Sequence, residues 1–501
     1  MTPVHGLFSP ENTANLAWKA HVFPENYQNP TPTRRYNQVV LGAGPAGLIC
    51  AAAAAGLGAK VALIEKTAMG GDCLNVGCVP SKTYISACKS LQVAMDASEQ
   101  SKDHAFASVM ARLRETRSHL SHHDSVARFT ELGVDVFLGA GRFLQPGTIQ
   151  VGDQKLNYRK AVIATGTHAA MPAIPGLIPE KTLTNFSFFS LTERPKHLAI
   201  IGGGPIGCEI AQATAHLGIP VTLIVRGERI LPRDDPDAAR IVQDALLRSG
   251  VHILLQKEVT SIQHLENESL LHIDGDPAPQ IVPASHVLVA TGRVPNVTGL
   301  GLEQVGVEYD ASTGIVVNER LQTSNKHIFA AGDVCSPYRF THTADMMART
   351  VVRNALFRGR ARFLRHQIPW CTYTDPELAQ IGLTQEVATS QQIKTDLYEV
   401  PFAALDRAQT DGKTTGFIRI VAQANKDRIL GATIVGHGAG EIAGAIAIAM
   451  QAKIGLKQFA ATMLPYPTYM EVLRKVGDQF NRTRFTPLVA KLFRWWLRWN
   501  R

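Results

Sequence analysis

Along this chain, short β-rich apolar runs alternate with longer helix-forming stretches, and glycine turns close most of the runs. The stretch NQVVLGAGPAGLICAAAAAGLGAKVALIEK reads as a strand (QVVL), a turn with Gly42, Gly44 and Gly47, an alanine-rich helix, and a second strand (VALIE) ending in Glu65. HLAIIGGGPIGCEIAQATAHLGIPVTLIVR repeats that order with Gly202, Gly204 and Gly207. Three more runs, AVIATG, HVLVATG and HIFAAGDV, carry Thr165 and Gly166, Gly292, and Asp333. They place a turn or a carboxylate at a strand's C-terminal edge, where ligands sit in open α/β sheets. From residue 365 onward the pattern changes. WCTYTDPELAQIGLT, GFIRIVAQ and RILGATIVG predict strands there, and EIAGAIAIAMQAKI predicts a helix, in a separate α+β domain. Residues 1–35 are polar and proline-bearing, without apolar periodicity, which predicts an arm or linker.

Both glycine turns stand in the strand–turn–helix–strand context that a G-x-G-x-x-G fingerprint needs to bind a dinucleotide. Glycines permit the tight turn and let N–H groups at the helix N-terminus approach a pyrophosphate. Glu65, 18 residues past Gly47, is placed to accept hydrogen bonds from an adenosine ribose. Two fingerprints argue for two dinucleotides, one per domain. At the second, Val225 occupies the position of Glu65 and Arg226 follows, with Arg229 nearby. The ribose acceptor is gone and an arginine can pair with a 2′-phosphate, which favours NADPH over NADH. Arg226 could instead stack on an adenine.

With 501 residues, 45% hydrophobic and 19% charged, the chain is long enough for about three globular domains. No secretory signal or membrane-spanning stretch is evident, so a cytoplasmic location is expected. Residues 474–501 hold eight Lys or Arg against one Asp, a net +7 out of +9 for the whole chain. The charge therefore characterises one tail and gives no ground for a nucleic-acid partner.

Seven cysteines are present and one close pair stands out, Cys73 and Cys78 in GGDCLNVGCVPSK, at what reads as the start of a helix. A helix N-terminus stabilises a thiolate through its dipole and free N–H donors. The pair could also be a buried inert couple or half of a metal site. A zinc site, however, calls for a second ligand pair, which the sequence does not show.

GGDCLNVGCVPSK, the paired glycine turns, the two ATG turns and AAGDV together resemble the flavin-dependent pyridine nucleotide–disulfide oxidoreductases, over roughly residues 36–480. Among these the chain is most similar to mercuric reductase and its relatives. The resemblance implies an α/β fold with two Rossmann-like domains, for FAD and NAD(P), and a C-terminal α+β dimerisation domain. The FAD domain would take residues 36–190 and 315–362, the NAD(P) domain 191–314, the dimerisation domain 363–480 and a tail 481–501. It further implies a homodimer with a redox-active Cys73–Cys78 disulfide, Cys78 facing the flavin and Cys73 the substrate. Lys82 would lie beside the flavin, paired with Glu209. Lys66, Gly71, Thr165, Gly166 and Asp333 would join Gly42, Gly44, Gly47 and Glu65 around FAD. Gly292 would join the second turn around NAD(P).

The pattern breaks near the end. Disulfide reductases of this family carry a His-Pro…Glu motif there, supplied by the partner subunit, whereas this chain reads LPYPTYMEVLRK. Pro467 and Glu471 match, but Tyr466 replaces the histidine. A phenol, with an ordinary pKa of about 10, relays protons poorly at neutral pH. Mercuric reductases carry tyrosine at this place, which points to reduction of a metal ion held transiently by Cys73 and Cys78. Against that, no cysteine follows Cys371 and none precedes Cys50, so the usual delivering cysteines are missing. A quinone or disulfide acceptor remains open, as does a membrane-docked flavoprotein.

In PLVAKLFRWWLRWNR, Lys491, Arg494, Arg498 and Arg501 recur on one helical face. Leu488, Leu492, Trp495, Trp496 and Trp499 recur on another. Such a stretch suits a membrane interface, through residues 485–501, or packing on protein. His122, His123 and Asp124 read as solvated surface, and His437 as part of a glycine-rich turn.

Overall fold

The computed structural model describes residues 6–275, 280–363 and 368–501. Two compact units emerge, Met1–Arg226 with Gly250–Leu364, and Gly227–Ser249 with Arg365–Arg501.

The first unit holds both dinucleotide folds. Strands Val134–Leu138, Val61–Glu65, Tyr36–Leu41, Gln154–Ile163 and Ile328–Ala330 lie side by side in parallel. Helix Pro45–Gly56 follows the first strand of the sequence. A second parallel sheet runs Val251–Leu255, Val221–Val225, Leu198–Ile201, His286–Val289, with helix Pro205–Ala215 after its first strand. Val61–Glu65, Leu198–Ile201 and Val221–Val225 are near-continuous apolar runs, buried throughout, as suits parallel sheets covered on both faces. In both helices Pro stands at the first position after a glycine N-cap, where its missing N–H costs nothing and its φ is already helical.

In the second unit, an antiparallel sheet runs Pro369–Thr372, Glu377–Gly382, Ile429–Gly436, Phe417–Gln423, Thr395–Pro401. Helices Ala439–Gln451 and Glu471–Arg484 contribute to its core. The strands and the helix expected after residue 365 are thus present.

Three boundaries differ from expectation. Gly227–Ser249, expected with the NAD(P) fold, belongs to the second unit. Arg419 explains this by pairing with Asp235 at 2.8 Å and Asp237 at 2.9 Å, while Trp370 donates to Asp234 at 2.7 Å. Helix Glu471–Arg484 runs past residue 480 into the expected tail.

The third difference lies in residues 1–35. Residues 13–22 form a helix, capped by the Asn12 side chain, and Trp18 in it is fully buried. Its buried positions are Asn15, Trp18 and Val22, a regular helical face whose first member is polar. That hid the period.

Candidate active site

The cysteine segment begins on two glycines in the left-handed region, Gly70 at φ +92° and Gly71 at φ +57°. A Cβ on Gly71 would stand 2.5 Å from the Gly44 Cα. Only glycine lets this segment lie directly on the first dinucleotide turn. Cys73 then sits in the short helix Gly71–Asn75, and Cys78 is the first residue of helix Cys78–Leu91. Both are free thiols here, Cys78 exposed and Cys73 partly buried.

The fold fixes this segment from several sides. The Asn75 amide donates to the carbonyls of Gly71 at 2.8 Å and Met69 at 3.0 Å, and its Oδ1 accepts from the Trp18 indole at 2.8 Å. Arg117, wholly buried, donates to the Asn75 carbonyl at 2.9 Å and to Asn15 Oδ1 at 3.0 Å. Its guanidinium lies 3.6 Å from the centre of the Trp18 ring. A buried cation needs such compensation, and this one receives it from carbonyls and a π face. Asp72 pairs with Arg293, the residue after Gly292, whose Nε also donates to Thr167 Oγ1 at 2.7 Å. Thr167 reaches Asp333 at 3.4 Å. Trp18, Asn75, Arg117, Thr167 and Arg293 escaped the sequence reading. The arginine directly after the second ATG was the one available signal.

The two thiols are unequal. Cys78 is held below the ordinary thiol range, first by the hydrogen bond from Cys73, then by Thr341 and the Lys82 charge. Cys73 is pushed up by that same hydrogen bond and by burial. Cys78 Sγ lies 3.4 Å from Thr341 Oγ1, and Thr341 opens the 17-residue helix Thr341–Phe357. Cys78 thus heads one helix and touches the head of another, where partial positive charge favours a thiolate. Lys82 donates to the buried Glu209 at 2.8 Å, as expected. Thr341 was not foreseen.

Both glycine turns fit a dinucleotide by their shape. Gly42 at φ +99° and Gly202 at φ +121° make the tight turn, and a Cβ there would strike the carbonyls of Ala164 and Ala290 at 2.3 and 2.5 Å. Gly47 and Gly207 pack so closely that a Cβ would lie 1.8 and 2.0 Å from the carbonyls of Gly42 and Gly202. At the middle glycines the space stays clear, with only Gly71 Cα 3.8 Å from Gly44 and nothing within 4 Å of Gly204. That is the close helix packing and open approach a pyrophosphate requires. Glu65 is buried and accepts from the N–H groups of Ala43 and Thr67, both at 2.7 Å. The carboxylate has about four acceptor positions, so it can still accept from a ribose hydroxyl. Burial pushes Glu65 and Asp333 above the usual carboxylate range. Thr165 Oγ1 donates to the Asn296 carbonyl at 2.8 Å, and Gly166 turns at φ +64°. Lys66 is exposed.

At the second turn, Val225 is buried against Gly203, where a Cβ would stand 2.7 Å from its Cγ2. Its side chain is committed to packing. Arg226 is 84% exposed and only loosely paired with Glu258 at 4.0 Å. Arg229, in the second unit, bonds to the Pro232 carbonyl at 3.2 Å and pairs with Glu386 at 3.7 Å.

Tyr466 and Glu471 also lie in the second unit and do not bond to each other. The Tyr466 hydroxyl donates to Asp406 at 2.7 Å, which raises the phenol further above the neutral range. Glu471 opens helix Glu471–Arg484, its Oε1 pairing with Arg474 at 2.9 Å and Lys475 at 3.5 Å. Its Oε2 is buried without a partner among the described residues. The His437 ring lies 5.0 Å from that of Tyr469, tilted by 49°. His122 and His123 are exposed, and no cluster of three His, Cys, Asp or Glu suited to a metal occurs among the described residues.

Comparison with known proteins bears on all of this. The pyridine nucleotide-disulphide oxidoreductase model matches residues 36–348, and that family's dimerisation domain matches residues 368–476. A mercuric reductase of Staphylococcus aureus is 32% identical, over 89% of this chain and 83% of its own length. Dihydrolipoyl dehydrogenase 3 of Pseudomonas aeruginosa is 33% identical, over 88% and 97%. A Cu(II) complex of the HOCl-induced flavoprotein disulfide reductase RclA from Escherichia coli superposes with a TM-score of 0.80 at 28% identity, covering 89% of this chain and all of that one. Members of the family use FAD with NAD(P)H as electron donor. With its paired dinucleotide turns, its cysteines on the first of them and a dimerisation domain later in the sequence, the chain belongs to the pyridine nucleotide-disulphide oxidoreductases.

Proposed function

We propose that this chain forms a homodimeric, FAD-dependent, NADPH-linked oxidoreductase whose acceptor is a soft metal ion, Hg(II) foremost, held by Cys73 and Cys78. The observation that carries the reading is the pairing of an activated thiol with a missing proton relay. Cys78 is held in a thiolate-favouring site, while the Tyr466 phenol is turned to Asp406 and raised. Soft thiolates suit such ions. Exchange with an organic disulfide needs a group that protonates the leaving thiolate near neutral pH, and imidazole suits that task far better than this phenol. The name of the S. aureus relative agrees with a metal acceptor, and the RclA complex with metal binding, while the name of the P. aeruginosa relative points to lipoamide.

When bound, FAD supplies two-electron transfer between nicotinamide and the cysteine pair. Gly44 and Gly204 would admit the two pyrophosphates, Glu65 would accept from the FAD ribose, and Arg226 would pair with the NADPH 2′-phosphate. Lys82, fixed by Glu209, keeps positive charge beside Cys78. Once one NADPH equivalent has reduced the pair, Cys73 and Cys78 would hold the ion as thiolates, and the electron pair of a second would reduce Hg(II) to Hg(0), releasing NADP⁺, a proton and the two free thiolates.

The test is NADPH and NADH oxidation by the FAD-loaded dimer with Hg(II) in excess thiol, Cu(II), glutathione disulfide, lipoamide and a quinone. Turnover with Hg(II), faster with NADPH, is expected. Robust lipoamide or glutathione turnover without metal turnover overturns the proposal.

A further inference from the structure

Helix Pro487–Trp499 is capped by Thr486 and buries none of its residues. Trp495, Trp496 and Trp499 are 57%, 60% and 73% exposed, and Phe485, Leu488, Leu492, Phe493 and Leu497 are exposed with them. Of the chain's five tryptophans, three stand in these five positions. At about 100° per residue, Lys491, Arg494, Arg498 and Arg501 fall within an arc of about 80°. The aromatic and aliphatic side chains fill the opposite side. No Asp or Glu follows Asp478, whereas Arg482 and Arg484 add two more cations just before the helix.

A protein groove would cover the apolar face but leave the cations without counter-charge. The same helix of a second copy would bring the same cations and no acid, so like charges would meet. An anionic bilayer answers both faces at once. Tryptophan rings settle at the headgroup level, and neighbouring lysines and arginines meet lipid phosphates. No described helix is long and apolar enough to cross a membrane, so the contact is with the surface.

We infer that Pro487–Trp499 docks this protein on anionic lipid, lying in the plane of the headgroups. The inference stands independently of the acceptor. The test uses the FAD-loaded full chain with phosphatidylcholine vesicles, with and without phosphatidylglycerol, read by co-sedimentation and tryptophan emission. Phosphatidylglycerol should raise the bound fraction at least ~10-fold at low salt, with a blue shift, and added salt should reverse most of it. Trp495→Ala with Trp496→Ala should abolish binding, and Lys491→Gln with Arg494→Gln and Arg498→Gln should remove its dependence on anionic lipid. NADPH-driven FAD reduction should be unchanged in both variants, which shows them folded. Failure to bind anionic vesicles overturns the proposal, as does equal binding by a chain ending at Arg484. So does self-association beyond the dimer that is lost in the tryptophan variant while vesicle binding persists.

Discussion

The cysteine segment and the Tyr466 segment are the two places where this chain's chemistry should concentrate, and they are built in opposite ways. Around Cys73 and Cys78, contacts come from residues far away in sequence: Trp18, Arg117, Glu209, Arg293 and Thr341. Around Tyr466, the loop from Ala461 to Pro467 is exposed apart from Leu464. Glu471 takes its partners from the next turn of its own helix. The first segment has its electrostatics imposed by the fold. The second is held by local contacts, and among the described residues a buried carboxylate oxygen of Glu471 has no partner.

The largest effect tests the imposed half. Cys78→Ser should cut turnover with any acceptor by about 10³-fold or more. It should also erase the long-wavelength absorbance expected when NADPH reduces the FAD-loaded protein, with FAD still bound. Persistence of that band would assign the flavin-facing role to Cys73 instead. Next in size, Trp18→Ala opens a cavity under the cysteine segment and strands Arg117, and should cost about 3–5 kcal/mol in denaturant unfolding. A loss below ~1 kcal/mol would show that the N-terminal helix is not part of the site's support.

A smaller effect concerns pH. Because Cys78 is held below the ordinary thiol value of about 8.5, its thiolate persists as pH falls toward neutrality. Alkylation of the reduced protein should therefore remain fast there and fail only below that range. Cys73→Ala should move this midpoint up most and Lys82→Met less, in the order of their influence on Cys78. The reverse order would sink the account of its activation. The smallest effect tests the locally held half. Tyr466→Phe loses one exposed hydrogen bond to Asp406 and should leave the unfolding midpoint almost unmoved, with FAD reduction unaffected. Tyr466→His sharpens the contrast by raising lipoamide or glutathione disulfide turnover. Silence of both disulfides in that variant would mean the histidine alone does not decide the acceptor.

Much of this was legible in the residues because the dinucleotide turns are local: a strand, three glycines and a helix lie within one short stretch. Lys82 and Glu209 were readable through resemblance, and the structure joins them. The Thr13–Val22 helix was not, since its buried face mixes Asn15 with Trp18 and Val22 and is satisfied by a polar network. Thr341 reaches Cys78 across 263 positions, a contact that no local pattern encodes. At Tyr466 the substitution was plain, but its partner Asp406, 60 positions upstream, had to be seen in space.

The excursion of Gly227–Ser249 into the second unit has a practical outcome. A fragment cut near residue 365 would lack helix Pro236–Arg248. It would leave Arg419, already bound to Glu399 at 2.8 Å, without two of its three carboxylates. The dimer-forming portion is therefore not a detachable cassette. Chimaeras exchanging it between relatives must carry the interior loop along with the tail-side sequence.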